Sequence, residues 1–243
     1  MKKNHQSKPD KNRIRLNRYL AMAGIGSRRK CDDYIVKGRV KVNEQLTTRL
    51  GTRIDPEKDV VYFDGKRVEL QKEFIYILLN KPLRTVSTAQ DEKNRRTVLD
   101  ILGTSKRLFP VGRLDYNSTG ALLITNDGKL TYYLIHPRFR VKKIYRVLIN
   151  KIMRPIDLHH FQHGIWLDGR KTHPCRVREL RRIDNRSYFE IELQEGRNRQ
   201  IRRMFEVLGY HVEQLHRKRF ANLSVDDLKP GEWRELSDAE VEE

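Results

Sequence analysis

FPVGRLDYNSTGALLITNDG, residues 109–128, sets a guanidinium and a carboxylate two positions apart, at Arg113 and Asp115, between an apolar entry and a turn-forming Asn-Ser stretch. The apolar run Ala121 to Thr125 follows, and Asn126-Asp127-Gly128 closes the segment as a turn. A carboxylate held at the end of buried structure with an arginine beside it is a candidate for chemistry, because the charge stays on it. Local chemistry alone fits equally well a turn whose Asp only caps and folds the chain.

Outward from this stretch the periodicity changes repeatedly. Upstream, Phe74 to Leu79 is a strand that Asn80-Lys81-Pro82 should end, since proline cannot donate to a ladder. Thr97 to Leu102 reads as a short helix. Downstream, Leu130 to Ile135 is helical up to His136-Pro137, Val141 to Ile149 alternates as a strand, Ile156 to His163 is a helix, and Tyr188 to Leu193 has period two. Gly196 to Leu208 then returns to helical spacing, with Ile201, Met204, Phe205 and Leu208 as its apolar stripe and Gly209 just past its end. Val212 to His216 and Gly231 to Leu236 are extended, and an acidic tail, Ser237 to Glu243, closes the chain. Strands and helices mix without regular βαβ alternation, so the class is α+β.

The chain divides by pattern into a basic arm, residues 1–13, a small unit, residues 14–72, and a large one, residues 74–243. Met1 to Arg13 holds five bases, one acid and no apolar side chain after Met1, which predicts a flexible arm. In the small unit Leu16, Tyr19, Leu20 and Ala23 recur at helical spacing. Ser27 is placed to cap a second helix from Arg28 to Lys37, and Val40 to Val42 and Val60 to Phe63 are short strands. This unit carries 14 Lys and Arg against 8 Asp and Glu; Arg15, Arg18, Arg28, Arg29, Lys30, Arg39 and Lys41 are either a solvated charged face or its candidate contacts to a polyanion.

With 51 Lys and Arg against 32 Asp and Glu, the net charge is +19. Such an excess selects a polyanion through phosphate neutralisation and counterion release, with nucleic acid ahead of an anionic membrane. No apolar run reaches the roughly 20 residues that span a bilayer, and a cytoplasmic protein is expected. Cys31 and Cys175 stand far apart, without the spacing of a zinc site or disulfide framework. His159 and His163 share a helix face, but no acid completes a metal motif, so no metal is expected.

Three motifs resemble those of pseudouridine synthases acting on ribosomal RNA. GRLDYNSTGALLITNDG is similar to the first, with Ala121 where leucine is usual; KKIYRV, residues 142–147, resembles the second; GRNRQIRRM, residues 196–204, resembles the third. The opening NKPLRTVST, residues 80–88, is similar too, but Arg84 stands where the family has glycine, which predicts strain or an altered loop if that position needs positive φ. Residues 15–68, with their SRR helix start and GRVKVN strand, resemble the S4 RNA-binding domain.

The resemblance implies a mixed, largely antiparallel sheet crossed by the catalytic cleft. It makes Asp115 the nucleophile, pairs Arg202 with it, packs Ile201 beneath Tyr145, and uses Tyr145 as the face on which uracil stacks. Arg113 would fill the space of a flipped-out base, with Arg197 and Arg199 also on the RNA. Asp115 would either attack the sugar or abstract a proton to give a glycal. The reaction keeps all atoms, so no cofactor or nucleotide is implied; structured ribosomal RNA is the expected partner and a monomer the expected state. Overall similarity favours the large ribosomal subunit as source of the target. A small-subunit enzyme, and a binding or ribosome-assembly factor without catalysis, are the alternatives.

Overall fold

The computed structural model describes residues 12–71 and 73–243. The expected basic arm lies outside them, apart from Asn12 and Arg13. Backbone contacts divide the chain into residues 1–74 and 75–243.

In the first unit β1 (Ile14–Arg15) pairs antiparallel with β4 (Arg53–Ile54), and α1 (Leu16–Met22) and α2 (Arg28–Val36) follow β1 directly. Ser27 caps α2 by accepting from the Lys30 amide, as its position predicts. β2 (Val40–Val42), β3 (Gln45–Leu46), β5 (Val61–Phe63) and β6 (Lys66–Arg67) form a sheet in the order β3-β2-β5-β6. Its two hairpins turn at Asn43-Glu44 and Asp64-Gly65, all at positive φ, the geometry that matches the twist of the flanking strands. Leu16, Leu20, Cys31, Ile35, Val40, Ile54 and Val61 make the core. Arg15, Arg18, Arg28, Arg29, Lys30 and Lys41 are exposed. Arg39 is exposed as well, and it also forms a two-pronged ion pair with Asp64 and stacks on Tyr34 and Phe63, 4.5 and 4.7 Å away, so it clamps the hairpin.

The second unit is built on a nine-stranded sheet. It contains β7 (Tyr76–Lys81), α3 (Val98–Leu102), β8 (Phe109–Pro110), β9 (Thr119–Thr125), α4 (Gly128–Ile135), β10 (Lys143–Ile149), α5 (Pro155–His163), the hairpin β11 (Trp166–Leu167) and β12 (Arg170–Lys171), β13 (Arg176–Ile183), β14 (Arg186–Leu193), α6 (Gln200–Val207), β15 (Val212–Phe220), β16 (Leu223–Ser224), β17 (Trp233–Glu235) and α7 (Asp238–Glu242). The strand order is β13-β14-β10-β15-β9-β7-β17, with β16 on β15 and β8 on β9. Among the described residues the strands of this sheet pair antiparallel except β15 with β9, which is parallel through His216–Thr119 and Arg217–Gly120.

β9 shows why Ala121 to Thr125 is apolar without a break. Leu122 and Ile124 join one core with Ile77, Leu79 and Leu108, while Ala121 and Leu123 join the core on the other face with Leu78 and Phe220. A strand covered on both sides loses the alternation of a half-exposed one. A third core, under β10, β14 and β15, takes Ile201, Met204 and Phe205 from α6, with Leu208 half-buried at its rim.

Candidate active site

The segment between β8 and β9 carries Asp115, and its backbone is fastened at every carbonyl from Leu114 to Ser118. The Ser87 hydroxyl donates to the Leu114 carbonyl at 2.9 Å and accepts from the Leu114 amide at 3.1 Å. The Asp115 carbonyl accepts from the Ser118 amide at 3.0 Å, which closes a tight turn. The Tyr116 carbonyl accepts from the Arg84 amide at 2.9 Å, the Asn117 carbonyl from an Arg202 nitrogen at 2.8 Å, and the Ser118 carbonyl from Lys81 Nζ at 2.7 Å. A loop whose carbonyls are all held from outside or by its own turn has little freedom, which fixes where its single carboxylate points.

Asp115 is partly open, its side chain 31% exposed. Two cations approach one of its oxygens, Arg202 Nε and Arg199, each at 3.9 Å. Arg202 is buried, and its two terminal nitrogens are taken by the Val212 and Asn117 carbonyls, which leaves Nε, turned toward Asp115, without a hydrogen-bond partner. Burial and the neighbouring Arg199 pull its pKa below the ordinary value, and Asp115 opposes them. The expected Arg202–Asp115 pairing is therefore a long-range ion pair steered by backbone bonds. Ile201 is buried in the core against which Tyr145 packs, and Tyr145 itself is half-buried on β10. Arg113 is exposed and nothing among the described residues holds its guanidinium.

Three placements differ from the sequence reading. Arg197, read as an RNA contact, donates to the Arg170 and Lys171 carbonyls at 2.8 and 2.6 Å and meets Glu195, so its guanidinium ties down the β11–β12 hairpin, a structural role the sequence reading did not give it. Arg199, expected only on the RNA, stands beside Asp115; it sits at φ 49° immediately before α6, a left-handed turn that directs the chain into the helix. β7 runs on to Lys81, one residue short of the proline that was expected to stop it two residues earlier. Arg84 does occupy the positive-φ position its family glycine suggests, at φ 55°, and its amide serves Tyr116 there.

Lys81 is the residue the sequence reading missed. It is fully buried, with Nζ on the Pro82 and Ser118 carbonyls, and burial pulls its pKa down to about 8 while Asp115 pushes the other way. The signal was a lysine at the end of an apolar strand, a position where a buried cation needs a nearby anion or carbonyls. The pH dependence follows. The unfolded chain holds the Lys81 proton up to 10.5 and the folded chain only to about 8. Between these values the unfolded state binds more protons, so the penalty for burying the charge is complete below pH 8 and disappears as pH rises toward 10.5. Urea unfolding of the wild type and Lys81→Met across this window should show the difference moving in favour of the wild type by up to about 3 kcal/mol. A pH-independent difference would place the ammonium in water. The Met variant should also lose turnover, since Ser118 is released beside Asp115.

Comparison with known proteins now has a geometry to meet. The family model described as RNA pseudouridylate synthase matches residues 75–207, and the S4 domain model matches residues 14–61. Ribosomal large subunit pseudouridine synthase B of Bacillus subtilis is 39% identical over 230 residues, covering 93% of each chain. The dual-specificity RNA pseudouridine synthase RluF of Escherichia coli is 37% identical over 230 residues, covering 94% of this chain and 77% of that protein. Among solved structures, a crystal structure of a pseudouridylate synthase superposes with a TM-score of 0.66 at 28% identity, covering 94% of this chain and 98% of the other. The three cores of the large unit, the loop bearing Asp115 and the S4 unit that precedes them in sequence accordingly belong to a member of the RNA pseudouridylate synthase family.

Proposed function

We propose that this enzyme converts a uridine of large-subunit ribosomal RNA to pseudouridine, with Asp115 as its nucleophile. The observation that carries the reading is the loop fastened at Leu114 to Ser118, which holds one carboxylate at a partly open site between Arg199 and Arg202. The choice of subunit rests on the Bacillus subtilis relative, which is named for the large subunit and matches over 93% of each chain.

Uridine becomes pseudouridine when the bond from N1 to the sugar breaks, the uracil rotates, and C5 bonds to the same sugar carbon. The C5 proton is lost and a proton returns to N1, so the product is an isomer and no oxidant, metal or nucleotide enters the balance. Asp115 acts at the sugar, as a nucleophile or as a base. Arg202 and Arg199 keep its charge in place as water leaves the cleft. Tyr145 offers the face on which the free uracil turns. The target must leave the RNA stack, at a cost of a few kcal/mol, and unpaired Arg113 fills the gap it leaves. The exposed cations of the S4 unit, Arg15, Arg18, Arg28, Arg29, Lys30 and Lys41, bind phosphates and set the register without reading bases. The enzyme acts as a monomer in the cytoplasm.

Pseudouridines mapped in both ribosomal RNAs from cells with and without the gene test this reading. One large-subunit position should lose its modification and regain it with the wild-type gene. Loss confined to small-subunit RNA would move the target, and an unaltered map would sink the ribosomal assignment.

A further inference from the structure

The surface beyond β9 carries a feature that neither the cores nor Asp115 use. α4 buries no residue completely; Leu130 and Leu134 rest on the core, and the outer side is left to large apolar groups. Tyr132 and Tyr133 are each 42% exposed, Ile135 47% and Phe139 37%. The rings are ordered against each other: Tyr133 and Phe139 have centroids 4.8 Å apart, Tyr132 and His136 4.9 Å, and Tyr132 meets Phe139 edge-on at 5.9 Å. Arg138 lies over this group, 4.4 Å from Phe139 and 5.2 Å from Tyr132. Contiguous apolar surface of this kind marks a binding site more often than a free face.

Position and charge identify the occupant. Ile135 packs on Gly112, close enough that a Cβ there would stand 3.6 Å from it, and Gly112 immediately precedes Arg113. Residues 128–146 contain six Lys and Arg and no Asp or Glu. Flat aromatic faces interleaved with guanidinium groups, without a single acid, match nucleobases joined by phosphates; an apolar protein segment would have no use for the cations.

We propose that Tyr132, Tyr133 and Phe139, with Arg138, form a stacking ledge for unpaired nucleotides of the substrate RNA beside the target uridine. The proposal rests on RNA being the substrate and deepens that reading: the target lies next to a single-stranded segment. Nucleotides flanking the flipped uridine lose their own stacking partner, and the rings of the ledge replace it.

The test uses the intact protein and two labelled probes, a short oligouridylate and a blunt RNA duplex. Tyr132→Leu combined with Phe139→Leu keeps apolar packing and removes the flat faces. It should weaken oligouridylate binding by about tenfold or more, the scale of lost base stacking, and leave duplex affinity unchanged. Tyr132→Phe combined with Phe139→Tyr should bind both probes as the wild type does. An oligouridylate carrying 4-thiouridine should crosslink within residues Leu130 to Arg140. Unchanged oligouridylate affinity in the Leu variant, an equal loss for both probes, or crosslinks only elsewhere would overturn the ledge; the first would turn it over to a protein partner. These readouts need neither Asp115 nor a particular ribosomal target, so failure of the ledge is distinct from failure of the proposed reaction.

Discussion

Asp115→Asn is expected to reduce pseudouridine formation by at least about 10⁴-fold, the scale on which a lost nucleophile acts, while RNA affinity stays close to that of the wild type. The amide has the shape of the carboxylate but neither its charge nor its nucleophilic oxygen. The loop should not move, because its carbonyls are held by Ser87, Arg84, Arg202 and Lys81 and by the turn's own Ser118 amide, none of which bonds to the Asp115 side chain. Arg199 and Arg202 stand 3.9 Å away, beyond hydrogen-bond distance, so the loss of stability should be about 1 kcal/mol or less. Release of tritium from uridine labelled at C5 measures the chemistry, and a filter-binding curve on the same RNA measures affinity. Full activity in this variant would remove Asp115 from the mechanism. A binding factor without catalysis would release no tritium even as wild type.

The second large effect is on the fold. Gly120→Ala should cost about 4 kcal/mol or more, enough to prevent recovery of folded protein or to shift the urea midpoint far down. Gly120 has φ 109°, and a Cβ built on it would lie 2.2 Å from the Arg217 carbonyl oxygen and 2.7 Å from that residue's amide nitrogen and carbonyl carbon. These are backbone atoms of the neighbouring strand, and Arg217 is itself held through its Nε on the Ala121 carbonyl at 2.7 Å. Nothing can yield without parting β9 from β15. Gly169→Ala is the control: its φ is 70°, but nothing lies within 4 Å of the added carbon, so only the backbone penalty of about 1–2 kcal/mol remains. Equal effects in the two variants would show that conformation alone, not the close approach, explains Gly120.

Much of this architecture is legible from local pattern, and the reasons differ from element to element. The caps of α2 and α3 follow from Ser27 and Thr97, because a hydroxyl before a helical run has few other uses. β9 is legible because both faces are covered. β13, RVRELRRI, is not: it is the edge of the sheet, its side chains pair across to β14 as in Arg178–Glu190, and such charge reads as loop. The β11–β12 hairpin was signalled by Asp168-Gly169, the same turn pair that marks Asp64-Gly65, but two-residue arms leave no periodicity to support it. The acidic tail forms α7, with a capping box between Ser237 and Glu240 that composition hides. At the site, Asp115, Arg202 and Tyr145 take their roles from their motifs, whereas Lys81 and Ser87, inside residues 80–88, act on backbone atoms. A bond to a carbonyl leaves no trace in the type of the residue that owns it, and the partners lie 37 and 27 positions away.

The parallel pairing of β9 with β15 also sets an order in time. β9 cannot find β15 until about ninety residues more have been made, and β7, the first strand of the unit, waits for β17, almost the last. Contacts of such separation form slowly, and only once both partners are available. On the ribosome the small N-terminal unit can therefore fold during synthesis, while the sheet that aligns Asp115 with Arg202 closes only near the end of translation. An interrupted chain would carry an RNA-binding unit and no catalyst, and as a free fragment it would compete with the finished enzyme for the same RNA.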